Sequence, residues 1–132
     1  MRVFIDTSAF YALLDRDDEN HQRAKRAWPS VFIGTNTLVT SNYVLVETIA
    51  LLQHRLGMEA VRGLQEEILP LVNIEFVTSE IHRPSISALL SASRRNLSLV
   101  DCASFEVMRA LGIKTVFAFD PHFTEQGFSV IP

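Results

Sequence analysis

Short apolar, β-rich runs alternate along this chain with longer runs of helical period, and that alternation constrains the fold more than any other feature. Arg2 to Ile5 reads as a buried first strand. Asp6-Thr7-Ser8 then opens a short helix to about Leu14, and a second helix spans about Glu19 to Trp28 and stops at Pro29. Leu38 to Thr40 is a second strand. A strong helix follows from about Asn42 to Leu56, with Gly57 placed to cap it. Another helix, about Met58 to Leu69, stops at Pro70, and Ile74 to Val77 is a third strand. Ser79 caps a helix reaching about Asn96, with Pro84 near its start, and the next helix runs from Leu99 to Leu111 before Gly112. Thr115 to Phe119 is a fourth strand, and Phe128 to Ile131 is a last, edge strand. Strands alternating with helices imply βαβ units and a mainly parallel sheet between helical layers.

At 132 residues the chain is expected to form one domain, residues 1–132, large enough for a core without cross-links. No apolar run reaches the length of a membrane span, so no membrane association is expected. The N-terminus enters the fold at once without a signal core. The single cysteine, Cys102, agrees with a reducing compartment, and a cytoplasmic protein is expected. A net charge of −3 argues against a nucleic-acid coat protein. It leaves room for an enzyme that meets nucleic acid through bound cations.

In parallel α/β folds, ligands bind outside the carboxyl ends of the strands. Asp6 follows the first strand and Asp120 follows the fourth. Each also has a second reading as a helix N-cap, and Pro121 suits the first helical position after Asp120. Asp101 stands three residues after Ser98 in capping-box spacing, which itself places a carboxylate at a helix start on the loop side of the sheet. Glu47 is flanked at helical spacing by Tyr43, Val44, Ala50 and Leu51, so it faces the core or a cleft. There it needs either an arginine or a cation. Four acids in one cleft would repel one another, and a divalent cation relieves that repulsion. Carboxylates with waters suit Mg²⁺ or Mn²⁺, and no His/Cys set suggests zinc.

Other residues carry weaker signals. His122 reads as a solvent-exposed loop histidine, with phosphate binding as the alternative. Cys102 reads as a small core residue rather than a nucleophile. Thr7 and Ser8 can hydrogen-bond the carboxylates or start a helix. Arg94 and Arg95 can meet an RNA backbone or complement a helix C-terminus. Phe10, Tyr11, Leu14 and Trp28 are either core or a groove for a partner helix.

The four segments VFIDTSAFYALLD, SNYVLVETIALL, LSLVDCASFEVMRALGI and TVFAFDPHFTEQGF, in this order, resemble the PIN-domain family, with the VapC toxin ribonucleases as its nearest branch. The resemblance runs from Val3 to Phe128. It implies a three-layer α/β/α fold with a mainly parallel central sheet. It also implies an acidic quartet of Asp6, Glu47, Asp101 and Asp120. Asp6 and Asp101 would be the principal metal ligands, with Glu47 and Asp120 completing the cluster. Thr7 matches a hydroxyl position beside the first acid. Where some members place a hydroxyl just before the third acid, this chain has Val100, with Ser98 as the available substitute. The implied activity is Mg²⁺- or Mn²⁺-dependent hydrolysis of single-stranded or looped RNA to 3′-hydroxyl and 5′-phosphate ends. The implied partners are a second copy of the chain and a small antitoxin whose arginine enters the cleft.

Three other classes compete. A receiver-like phospho-switch needs a lysine at the carboxyl edge, and neither Lys25 nor Lys114 is placed there. An aspartyl phosphatase of the haloacid dehalogenase kind needs a second Asp where Ser8 stands. A PIN fold retained only for binding has no need of a repulsive acid cluster. A free-standing PIN nuclease without an antitoxin remains the alternative within the family.

Overall fold

The computed structural model describes all 132 residues. Its frame is a five-stranded sheet in the order β3-β2-β1-β4-β5, formed by β1 (Arg2–Ile5), β2 (Thr37–Ser41), β3 (Val72–Glu75), β4 (Thr115–Phe117) and β5 (Ser129–Ile131). Every pairing is parallel, with β1 at the centre between β2 and β4. The helices are α1 (Thr7–Leu14), α2 (His21–Val31), α3 (Asn42–Arg55), α4 (Met58–Gly63), α5 (Ser79–Ala92), α6 (Leu99–Leu111) and α7 (His122–Glu125). Parallel strands require crossovers, and the helices supply them, giving the α/β/α arrangement expected from the alternation. No helix is long and apolar enough to cross a membrane.

The central strand explains the rest. Val3, Phe4 and Ile5 are all fully buried, which an alternating half-exposed strand would not allow. Phe10 on α1, Leu52 on α3, Met108 on α6 and Phe117 on β4 are buried with them in one continuous core. At roughly 1.5–3 kcal/mol for each fully buried large side chain, this cluster dominates the favourable side of folding. Cys102 is buried within it, as expected. Phe10 and Tyr11 are buried as well, so only part of the suspected apolar surplus stays available.

Several boundaries differ from those read in the sequence. The second helix does not stop at Pro29 but continues to Val31. Proline deprives only one carbonyl in the last turn of its partner, and the Phe32 amide donates to the Trp28 carbonyl at 2.8 Å to close that turn. After α4 the chain does not continue as regular helix to Leu69. It widens into a π-turn over Leu64–Ile68 and tightens into a 3₁₀ turn over Leu69–Leu71, with Pro70 inside the 3₁₀ turn. The change of winding directs both Leu64 and Leu69 into the core. Ser79 is not a cap: Thr78 takes that position, and α5 ends at Ala92, where Ser93 adopts the left-handed conformation, φ 49°. The third strand begins two residues before Ile74 and ends at Glu75. β4 ends at Phe117, so Asp120 follows the strand after a two-residue link rather than directly.

Candidate active site

The acids are placed by the way the strands end. Asp6 leaves β1 while its amide still donates to the Phe117 carbonyl (3.1 Å), and its side chain caps α1. The carboxylate Oδ2 accepts the Ser8 amide (3.1 Å) and the Ser8 hydroxyl (2.7 Å). That hydroxyl in turn accepts the Phe119 amide at 2.9 Å. One serine therefore ties the turn after β1 to the link that carries Asp120.

Asp101 is held by a complete capping box. Its amide donates to the Ser98 Oγ (3.0 Å), and its Oδ2 accepts the Ser98 amide (3.1 Å). Asp120 Oδ1 accepts the His122 amide at 2.9 Å, an Asx-type turn that fixes its carboxylate at the start of α7. Asp6 is thus both cap and site residue and Asp101 completes the Ser98 box, whereas Asp120 is not the cap expected of it: Pro121 takes the N-cap position of α7, one residue later than the sequence implied.

Glu47 projects from the second turn of α3 onto the same cleft and is half-buried. The arginine partner that could have explained it is absent: no Lys or Arg pairs with Glu47, Asp6, Asp101 or Asp120. The cleft has a volume of about 300 Å³ and brings all four acids together with Ser8, Tyr11, Asp18 and Phe119. Asp18 is a fifth acid that the sequence did not single out. It lies in a run of charges that reads as solvated loop, and only the fold of the α1–α2 connection turns it inward.

Electrostatics mark Asp6 and Asp101. Burial, opposed by the Ser8 hydrogen bonds and reinforced by the charges of Asp101 and Asp120, pushes Asp6 up to about 7. Burial also raises Asp101 to about 6, with the Ser98 amide opposing and Asp120 adding to the rise. Ordinary aspartates titrate near 4, so the metal-free cleft holds its charge at a cost.

Two expectations are corrected here. His122 is not a solvent-exposed loop histidine. Its side chain is 8% exposed, with Nδ1 2.9 Å from Asp120 Oδ1 and 3.4 Å from Asp101 Oδ2. Packing of α7 against the core, with Phe123 fully buried beside it, carries the ring inward. Thr7 does not hydrogen-bond an acid. Its hydroxyl donates to the Val44 carbonyl (3.4 Å) and accepts from Thr48 (3.1 Å), because α3 packs against that side of α1. Ser8 takes the role instead. Ser98 meets Asp101 through its backbone amide and its accepting hydroxyl, as the capping spacing implied. Arg94 and Arg95 are exposed outside the cleft, and Arg94 is paired with Glu125 at 2.9 Å.

The donor set fits a divalent cation. Carboxylates without Lys or Arg partners supply hard oxygen ligands, and the buried imidazole nitrogen beside them lacks a hydrogen-bond partner. Ligand atoms of Asp101, Asp120 and His122 all lie within 4.8 Å of one another.

Comparison with known proteins assigns the family. A family model described as the PIN domain matches residues 3–129. The chain belongs to the PIN-domain family. Among its relatives is the 23S rRNA-specific endonuclease VapC20 of Mycobacterium tuberculosis, 38% identical over 127 residues that cover 96% of this chain and 95% of that protein. The crystal structure of the same VapC20, described as a sarcin-ricin loop cleaving toxin, superposes with a TM-score of 0.86 at 37% identity, covering 98% of this chain and 99% of the other. More distant PIN-fold structures share the architecture. FitAcB from Neisseria gonorrhoeae reaches a TM-score of 0.70 at 18% identity, covering 100% of this chain and 97% of that one. VapBC2 from Rickettsia felis, bound to a DNA fragment from its promoter, reaches 0.73 at 12% identity, covering 98% and 97%.

Proposed function

We propose that this PIN-domain chain is an endoribonuclease that requires Mg²⁺ or Mn²⁺ and acts as the toxin of a toxin–antitoxin pair. The observation that carries the reading is the cleft of Asp6, Glu47, Asp101 and Asp120, buried or half-buried and without a Lys or Arg partner, in a chain 38% identical to an endonuclease of rRNA. A folded rRNA loop is accordingly the first substrate class to test.

Asp6 and Asp101, completed by Asp120 and Glu47, would hold the cation. Bound there, it supplies the positive charge that lets an RNA phosphate approach an acidic cleft, acidifies water and stabilises charge on the leaving oxygen. The chain's own residues do the rest. Ser8 keeps Asp6 Oδ2 in place and lowers its proton affinity against the opposing effect of burial. The Ser98 box keeps Asp101 at the mouth of α6. Half-buried Glu47 brings its carboxylate to the same cleft from α3 and would complete the cluster. Arg94 and Arg95 stand on the loop before α6, where they would meet the RNA backbone outside the cleft.

The partner surface follows the part of the apolar surplus that stays accessible. Leu13, Leu14, Trp28 and Ile68 line a groove of about 400 Å³, edged by the cationic Arg16 and Lys25 and by Glu67. An amphipathic antitoxin helix with acidic flanks fits it, and a trailing arginine would reach the carboxylates. Large apolar side chains left exposed at Val46, Phe76 and Leu90 favour pairing with a second copy.

The receiver-like alternative loses its remaining support. Lys114 precedes β4 at the far end of the sheet, and Lys25 edges the apolar groove rather than the cleft.

Cleavage of a structured rRNA loop and a single-stranded control, with Mg²⁺, Mn²⁺ or EDTA, tests the reading. Wild type is expected to cut only with metal, leaving 5′-phosphate ends, and Asp6→Asn is expected to be inactive while folded. Activity that survives EDTA, or full activity in the variant, overturns it. Co-expression with the adjacent reading frame separates the toxin from a free-standing nuclease, since only the toxin is silenced.

A further inference from the structure

His122 Nδ1 is the one buried side-chain nitrogen or oxygen in the molecule without a hydrogen-bond partner. Buried polar groups are almost always paired, so an orphaned nitrogen needs a reason. Its surroundings make the case sharper. It is 2.9 Å from Asp120 Oδ1 and 3.4 Å from Asp101 Oδ2, close enough to bond either, yet aligned with neither. Asp120 Oδ1 instead accepts the backbone amide of His122. An imidazolium recruited as an ion-pair partner would point its N–H at one of the two oxygens. Asp101 Oδ2 likewise accepts a backbone amide, that of Ser98, so both oxygens are already held while the ring nitrogen beside them is left without a bond of its own.

The separations match those around a bound cation. Cations of this class hold six ligands at about 2.1 Å in near-octahedral array, so neighbouring donors stand about 3.0 Å apart. The His122–Asp120 and His122–Asp101 distances bracket that edge, and all three donors lie within 4.8 Å of one another. We propose that His122 Nδ1 is a direct ligand of the divalent cation, making this a mixed nitrogen–oxygen site rather than an all-carboxylate one. The proposal rests on the cation-dependent reading of the cleft and goes beyond it in naming the donor and its consequence. Mg²⁺ gains little from an imidazole, whereas Mn²⁺ and later divalent ions gain more. His122 therefore tilts the site toward Mn²⁺.

Electron spin-echo spectroscopy of Mn²⁺ bound to the full chain tests this without relying on activity. A directly bound imidazole gives a ¹⁴N modulation that changes to the ¹⁵N pattern when the protein is labelled with ¹⁵N-histidine, and that disappears in His122→Asn. In parallel, Mn²⁺ and Mg²⁺ affinities are measured by calorimetry. The ratio favouring Mn²⁺ is expected to fall by roughly tenfold in His122→Asn, with Mg²⁺ binding little changed. The labelled wild type needs no substitution, so the result stands even where a variant packs poorly. Mn²⁺ bound without nitrogen modulation overturns the assignment and leaves the carboxylate site intact. Failure of Mn²⁺ to bind overturns both.

Discussion

Asp6 and Asp101 hold their charge against burial, and the sign of that cost is measurable. Both have folded-state values raised above the ordinary aspartate range, to about 7 and about 6. A raised carboxyl contributes stability below its unfolded value near 4 and loses it as pH climbs through the folded value. The melting temperature of the EDTA-treated chain is therefore expected to fall between about pH 4 and pH 7, and saturating Mg²⁺ should flatten the decline. A metal-free curve that rises over this window contradicts the burial account. Ser8 sets the second prediction. Its hydroxyl lowers the proton affinity of Asp6, so Ser8→Ala should move the acid limb of the cleavage profile to higher pH. A pH–rate profile of the variant that overlays wild type removes Ser8 from the account. At this scale the four acids were legible because each stands at a strand end, at a helix start or in an apolar stripe. His122, Asp18 and the exchange of Thr7 for Ser8 were not. Which way a ring or hydroxyl turns depends on helices packed against it from distant parts of the chain.

At the level of elements, α6 is the most fully specified piece. Its limits, Leu99 to Leu111, agree with the sequence reading because a capping box starts it and Gly112 ends it in the left-handed region, φ 68°. Ser98→Ala removes the acceptor for the Asp101 amide and is expected to cost about 1 kcal/mol in urea unfolding. It should also lower cleavage more than Gly112→Ala, which strains the backbone by a similar amount at the far end of the same helix. Equal activity losses in the two variants would mean that the box serves only stability. The elements misjudged from sequence share a cause. Pro29 and Pro70 each lie inside a helical segment, tolerated near an end or in a tightened turn, so reading proline as a stop placed those two boundaries too early. The π-turn at Leu64–Ile68 left no sequence signal at all, since it is the core's demand for Leu64 and Leu69 that sets the winding.

Across the whole molecule, a parallel sheet gathers the ends of β1 and β4 and the starts of α1, α3 and α6 at one edge, so residues up to 114 positions apart share a cleft. The alternation of strands and helices made that gathering readable before any coordinates, whereas the groove over Leu14 and Trp28 emerged only once Phe10 and Tyr11 proved to be core. Leu14→Glu is expected to abolish antitoxin capture in co-expression pull-downs while leaving RNA cleavage in place, because the groove lies apart from the acids. Loss of cleavage with capture retained would refute that separation. The central claim, that the acids form a single cation site bought with electrostatic strain, is tested most directly by thermal melting of wild type and Asp6→Asn near pH 8, each with EDTA and with Mg²⁺. Asparagine keeps the cap on α1 and removes the buried charge, so the metal-free variant should be more stable by on the order of 2 kcal/mol. Mg²⁺ should raise the wild-type melting temperature by several degrees and the variant's much less. A metal-free variant that melts below wild type, with Mg²⁺ shifting both equally, would contradict the account.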